Sequence, residues 1–137
     1  MSIATVSRVV NGSQKVSEKT RQKVMDVIKA EGYTPNVFAR GLGLDSMKTI
    51  GIICPNIADN YMARAISHLE QNFHEYGYDC ILGCSGHTRE AKESYVKLLL
   101  SKRIDALVMI GSTYGGNGVE EKETAYIKNA SKQAPVF

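Results

Sequence analysis

The residues best suited to chemistry lie at the amino end, in "SIATVSRVVNGS". Ser2, Thr5, Ser7 and Asn11 offer short polar groups for phosphate oxygens or for capping a helix. Arg8 offers a planar fork of donors that fits guanine O6 and N7. Elsewhere the patterns for chemistry are missing. The strand-like "TIGIIC" is followed by "CPNIADN", which has no glycine fingerprint for a dinucleotide. "GSTYGGNG" is glycine-rich but lacks the Gly-Lys-Ser/Thr of a phosphate loop. There is no Gly-x-Ser-x-Gly elbow and no His-Glu-x-x-His, and Ser85 with His87 on one turn is no dyad. No catalytic residue, metal ligand set or cofactor is expected. His68, His74 and His87 do not combine with Cys54, Cys80 and Cys84 at zinc-ligand spacing. The three cysteines are expected to be buried reduced thiols of a cytoplasmic protein. The sequons "NGS" and "NAS" carry no weight without a secretory signal.

Elements must hold the amino-terminal groups in place. Ser2 is suited to cap a helix from Ile3 to Val10, with Val6, Val9 and Val10 as its packing face and Asn11-Gly12 as its stop. Ser17 is suited to cap a second helix to about Ala30, with Val24, Val27 and Ile28 at helical spacing. Pro35 keeps Thr34 out of the helical region. Asn36 can then cap a short third helix from Val37 to about Leu44. Two helices joined by a tight turn suit a reader of the major groove, although a surface helix of a bundle has the same pattern.

At Lys48 the pattern changes. "TIGIIC" (49–54), "DCILGC" (79–84) and "IDALVMIG" (104–111) read as strands, and "APVF" as the start of a fourth. Met62, Ile66, Leu69, Phe73 and Tyr76 form one face of a helix between the first two strands. Thr88 caps another, with Ala91, Tyr95, Leu98 and Leu99 expected inward. A weaker helix is expected over 119–130. Alternating strands and helices with short turns predict a parallel α/β layout.

The 137 residues carry a formal net charge of +3, unevenly placed. Residues 1–48 hold eight bases and four acids, a net of +4, and the remaining residues sum to −1. That bias favours a polyanionic partner for the amino end. No apolar run reaches the roughly 20 residues of a membrane helix, so no membrane partner is expected.

Three linked strings then become specific. "S-x-A-T-V-S-R-V-x-N", "V-S-x-x-T-R-x-K-V" and "G-Y-x-P-N-x-x-A-R" stand in the order and spacing of the lactose/galactose-repressor (LacI/GalR) family of bacterial transcription regulators, which the chain resembles along nearly its whole length. The resemblance implies a partial helix-turn-helix DNA-binding domain (1–35), a hinge helix and linker (36–48), and the start of a parallel α/β periplasmic-binding-protein-like core (49–137). It implies a non-enzymatic regulator, most simply a repressor. The expected partners are double-stranded operator DNA, a small-molecule effector such as a sugar, and a second copy in a homodimer.

By that resemblance, Ile3 and Ala4 read bases and Arg8 contacts a base, while Ser2, Thr5, Ser7 and Asn11 grip phosphates or position the helix. Asn36, Ala39, Arg40 and Leu42 belong to the hinge, with Leu42 as the minor-groove wedge. Asn60, Tyr61, Ser85 and Ser112 line the effector cleft. The chain departs from the family in Gly41 and Gly43, which flank Leu42 and weaken a helix. Asp59-Asn60-Tyr61 also replaces the frequent Asn-Pro. The family has a further helix and turn before "SIATVSR" and a core running well past Phe137, so a fragment is expected. Met1 falls where a valine is common, which suggests an internal codon taken as a start. The alternatives are a small-molecule binding module without DNA binding, or a non-functional truncated product.

Overall fold

A computed structural model describes residues 1–34, 46–111 and 121–137, the first three residues of the last stretch in backbone only. The chain divides into two compact units, Met1–Asp45 and Ser46–Phe137.

In the first unit, α1 (Ile3–Val10) and α2 (Glu18–Ala30) pack on each other. Each begins on the same device, a serine followed three residues later by a threonine. Ser2 Oγ accepts from the Thr5 amide and exchanges a 2.9 Å hydrogen bond with the Thr5 hydroxyl. Ser17 and Thr20 repeat this, again at 2.9 Å. Such a cap satisfies an amide that the helix itself leaves unpaired. Gly12 (φ 70°) and Gly32 (φ 61°) take the left-handed conformation that closes each helix. Between the helices, Arg21 Nη2 donates to the Ser13 carbonyl at 2.6 Å, fixing the turn. Val9 and Val24 are the residues buried on the two helices. Val6, Val10 and Ile28 are half-buried, but Val27 is exposed, contrary to the sequence reading. α1 covers one stripe of α2, that of Val24 and Ile28, and Val27 lies beyond it.

The second unit is a three-stranded parallel sheet, ordered β2-β1-β3. Its elements are β1 (Thr49–Cys54), α3 (Asn60–Glu75), β2 (Asp79–Cys84), α4 (Arg89–Ser101), β3 (Ala106–Met109) and α5 (Glu121–Ala130). The chain leaves β1 to one side and returns across it to reach β3. Right-handed crossovers in opposite directions place their helices on opposite faces of the sheet. Strand alternation divides β1 between them. Ile50, Ile52 and Cys54 form one core with Ile66 of α3, joined at its edge by Leu69 and Phe73. Ile53 forms the other with Val96, Leu99, Ile104, Leu107, Tyr126 and Ala130. Gly51 also faces this second core, where an added Cβ would lie 2.8 Å from Ile104 Cδ1 and 3.1 Å from Leu99 Cδ1. Asp105 ties the sheet's lower end together, its carboxylate accepting from the amides of Thr49 (2.8 Å) and Met47 (3.3 Å).

Some expectations need correcting. Leu98 is 51% exposed, and Val96 is buried in its place. Val96, Leu99 and Leu100 pack on the sheet, and Leu98, one step further round the helix, falls outside that stripe. Tyr76 is the exposed C-cap of α3 rather than part of its packing face. The third strand is shorter than its apolar run, and the fourth is a single bridge between Leu107 and Val136. Only Cys54 is buried; Cys80 is half-exposed and Cys84 exposed, because β2 is an edge strand. The expected helix 37–44, the loop after Gly111 and residues 119–120 lie outside the described residues.

Candidate nucleic-acid interface and ligand crevice

α1 has two unlike sides. Val9 is buried and Thr5, Val6 and Val10 are half-buried, while Ile3, Ala4, Ser7, Arg8 and Asn11 are exposed. At 3.6 residues per turn the exposed five fall within about 140° of one another. Ile3 is 89% exposed, unusual for an isoleucine. No packing reason places it there, so its apolar surface is open to a partner. Arg8 presents its guanidinium on the same side, with no carboxylate salt bridge to it among the described residues.

The polar groups divide by task. The Ser2 and Thr5 hydroxyls are joined in the cap. Asn11 Nδ2 donates to Ser7 Oγ at 3.4 Å, and the Asn11 amide donates to the Ser7 carbonyl at 2.9 Å. These four residues therefore shape the ends of the helix, with Ser7 and Asn11 on its exposed side. Asn36, Ala39, Arg40 and Leu42 lie outside the described residues.

The second unit gathers another set at the carboxyl edge of its sheet. The amides of Ser85 and Gly86 donate to the Cys54 and Pro55 carbonyls, each at 2.9 Å, which carries the β1–β2 pairing into the loops. Asp59 caps α3, its Oδ1 accepting from the Met62 amide at 3.0 Å. Asn60 and Tyr61 follow at the exposed start of the helix, Tyr61 being 74% exposed. Ser85 differs from what the sequence suggested. It is 5% exposed, and its hydroxyl donates to the Gly86 carbonyl (3.1 Å) and lies 3.5 Å from that of Cys54. It holds the loop instead of facing solvent. Ser112 lies outside the described residues. In a 2-1-3 order the connections diverge between β1 and β3, and open parallel sheets bind ligands at that divergence, at the carboxyl edge.

A groove of about 610 Å³ opens elsewhere, against Ile50, Phe73, Tyr78, Ala106, Val108 and Phe137. Ile50, Phe73, Ala106 and Val108 place the groove on the sheet's α3 face, where it reaches from the amino end of β1 to Val108 beside Ile52. The histidines, cysteines and carboxylates form no cluster of three that could hold a metal among the described residues. No helix among them is long and apolar enough to cross a membrane.

Residues 1–36 match the family described as bacterial regulatory proteins, lacI family. The whole chain is 56% identical to an HTH-type transcriptional regulator of Lachnoclostridium phytofermentans. The chain belongs to the LacI family. Across 82% of its length it is also 41% identical to catabolite control protein A of Staphylococcus epidermidis. It spans 40% of the first relative and 34% of the second. The fold agrees with a lac repressor dimer solved bound to operator and the anti-inducer ONPF. That comparison gives a TM-score of 0.80 at 25% identity, over 99% of this chain and 40% of that one. LacI-family proteins are regulators and not enzymes, in keeping with the missing catalytic patterns. Sequence reasoning missed Asp59 as the cap of α3 and Arg21 as the brace of the turn. An acidic residue one place before a helical face was the available signal for the first. The second depends on where the Ser13 carbonyl points, which a string of letters does not give.

Proposed function

We propose that this chain is the DNA-reading end and the beginning of the effector core of a transcription regulator, a repressor, that acts on double-stranded operator DNA in the cytoplasm. α1 enters the major groove. Ile3 and Ala4 meet base edges, an isoleucine being suited to the thymine methyl, and Arg8 takes guanine in a bidentate grip. Ser2, Thr5, Ser7 and Asn11 set the helix end against phosphates. The reading rests on one observation: α1 turns its valines inward, Val9 buried and Val6 and Val10 half-buried, and leaves Ile3 and Arg8 on the open side. The positive bias of residues 1–48 supports it. Asn36, Ala39, Arg40 and Leu42 are proposed to form the hinge that meets the minor groove, in a homodimer.

The carboxyl edge of the sheet is proposed to take a small polar effector, such as a sugar. Asn60 and Tyr61 would contact it, with Ser112, while Ser85 shapes the wall through its bonds to the Cys54 and Gly86 carbonyls. Support comes from the switch point between β1 and β3 and from two exposed hydrogen-bonding side chains at the start of α3.

The test is a chimera, the Lachnoclostridium phytofermentans regulator carrying this chain in place of the stretch it matches. Operators are selected from random duplexes and binding is followed by fluorescence anisotropy. A defined half-site with guanine opposite Arg8 is expected, with affinity falling steeply as salt rises. Arg8→Ala should relax the preference at that base by about 1–3 kcal/mol. Equal weakening on every duplex would remove the base-reading role. A chimera that binds sugars but no duplex would favour a ligand-binding module.

A further inference from the structure

Cys54 ends β1 and Cys84 ends β2, and the two are direct partners in the parallel register. Their sulfurs lie 3.9 Å apart. Neighbouring strands run about 4.7–4.9 Å apart. That falls within the Cα separation of about 4.4–6.8 Å that a disulfide spans. Side-chain rotation alone has to bring the sulfurs to about 2.0 Å. The backbone on either side is already fixed. Cys54 lies within the ladder, and the Ser85 amide donates to its carbonyl at 2.9 Å. Cys80 stands opposite Ile50 and has no sulfur across from it.

The two thiols differ in access. Cys54 is fully buried, whereas Cys84 is exposed on the edge strand. Burial, then the hydrogen bond and the charge of Cys84, raise the Cys54 thiol to about 11. At neutral pH Cys54 therefore holds its proton, and an oxidant in solution meets Cys84 first.

We propose that Cys54 and Cys84 are a reversible redox site, closed to an intramolecular disulfide by a peroxide, which ties the carboxyl ends of β1 and β2 together. The Cys84 thiolate attacks one peroxide oxygen and the O–O bond breaks. Cys84 becomes a sulfenic acid and the second oxygen leaves as hydroxide, which takes up a proton. Cys54 then gives its proton to water or hydroxide and attacks the Cys84 sulfur. The S–S bond forms, the S–O bond breaks, and a second hydroxide is protonated to water. Overall two thiols are oxidised, one peroxide is reduced and two waters are released. The bond joins the roots of the loops that begin at Pro55 and Ser85. It requires neither DNA binding nor an effector.

The test treats the 137-residue chain with hydrogen peroxide, blocks remaining thiols with iodoacetamide, and maps tryptic peptides without reduction. Peptide 49–64 should appear joined to peptide 65–89 with the loss of two hydrogens, and dithiothreitol should separate them. Both Cys80 and Cys84 lie on the second peptide, so two variants decide between them. Cys84→Ser should abolish the link, and Cys80→Ser should leave it intact. A link that survives Cys84→Ser overturns the proposal. So does one found only between chains, or Cys84 carried on to sulfinic acid while Cys54 stays a free thiol.

Discussion

Arg8 and Lys15 carry the same charge, yet only the first is suited to choose a base. A guanidinium presents two parallel N–H donors to guanine O6 and N7, whereas an ammonium is a point charge that serves phosphates equally well. Arg8→Lys in the chimeric regulator is therefore expected to keep most of the salt dependence. It should lose up to about 1–3 kcal/mol of discrimination at one position. Competition between a selected operator and its single-base variants measures this. Unchanged discrimination would mean that Arg8 acts as a phosphate contact. Cys54 couples folding to alkaline pH by a different route. Its thiol titrates at about 11 in the folded chain against an ordinary 9.0, mainly through burial. Above pH about 9 the unfolded chain releases a proton that the folded chain still holds. The stability this thiol contributes is complete below that point. It declines as pH rises towards 11, by at most about 1.4 kcal/mol per pH unit. Urea midpoints at pH 7 and pH 10 should fall further for the wild type than for Cys54→Ala. Equal falls in the two chains would contradict the coupling.

Helix starts are local events, and they were legible for that reason. Ser2, Ser17 and Thr88 each stand one place before a helix and accept from an amide three residues on. No distant residue is needed to make that bond. Ser17→Ala removes the cap of α2 and should cost about 1 kcal/mol, seen as a lower melting point of the helical unit by circular dichroism. Ser17→Asp should recover the loss, because aspartate caps as well and favours the positive end of the helix. A melting point that ignores both changes would show that α2 is held by packing alone. The sides of the elements were harder to read. Leu98 against Leu99, and Tyr76 against Phe73, differ by one step or one turn, and the sheet above decides which is hidden. The exposure of Cys84 depends on strand order. Nothing within "DCILGC" distinguishes an edge strand from a central one, since both are apolar here. That Ser85 follows β2 at the carboxyl edge of the sheet is plain from the strand pattern. The direction of its hydroxyl depends on carbonyls thirty-one and one residues away.

At the scale of the molecule the two units have unequal cores. On α1 and α2 the buried residues are Val9 and Val24. The sheet hides Ile52, Ile53, Cys54, Leu99 and Leu107 almost completely, with more behind them. A fully buried aliphatic side chain contributes roughly 1.5–3 kcal/mol, so the helical unit has little to set against the entropy of ordering its backbone. α1 is also only eight residues long, well below the ~12–15 at which isolated helices persist in water. The sequence changes character at Lys48, from capped helices to apolar strands, but the depth of each core became visible only once the sheet was assembled. Amides of α1 and α2 should therefore exchange hydrogen through shallow local openings, and those of β1 only through deep ones. Mass-detected exchange at neutral pH should show residues 3–10 and 18–30 saturating while 49–54 stays protected. Val24→Ala removes two methyl groups from the smaller core, about 1.5 kcal/mol at the transfer value alone. It should speed exchange in both helices and leave β1 unchanged. Equal protection of α1 and β1 in the wild type would mean that α1 is already ordered as firmly as the sheet. DNA would then have no ordering left to supply.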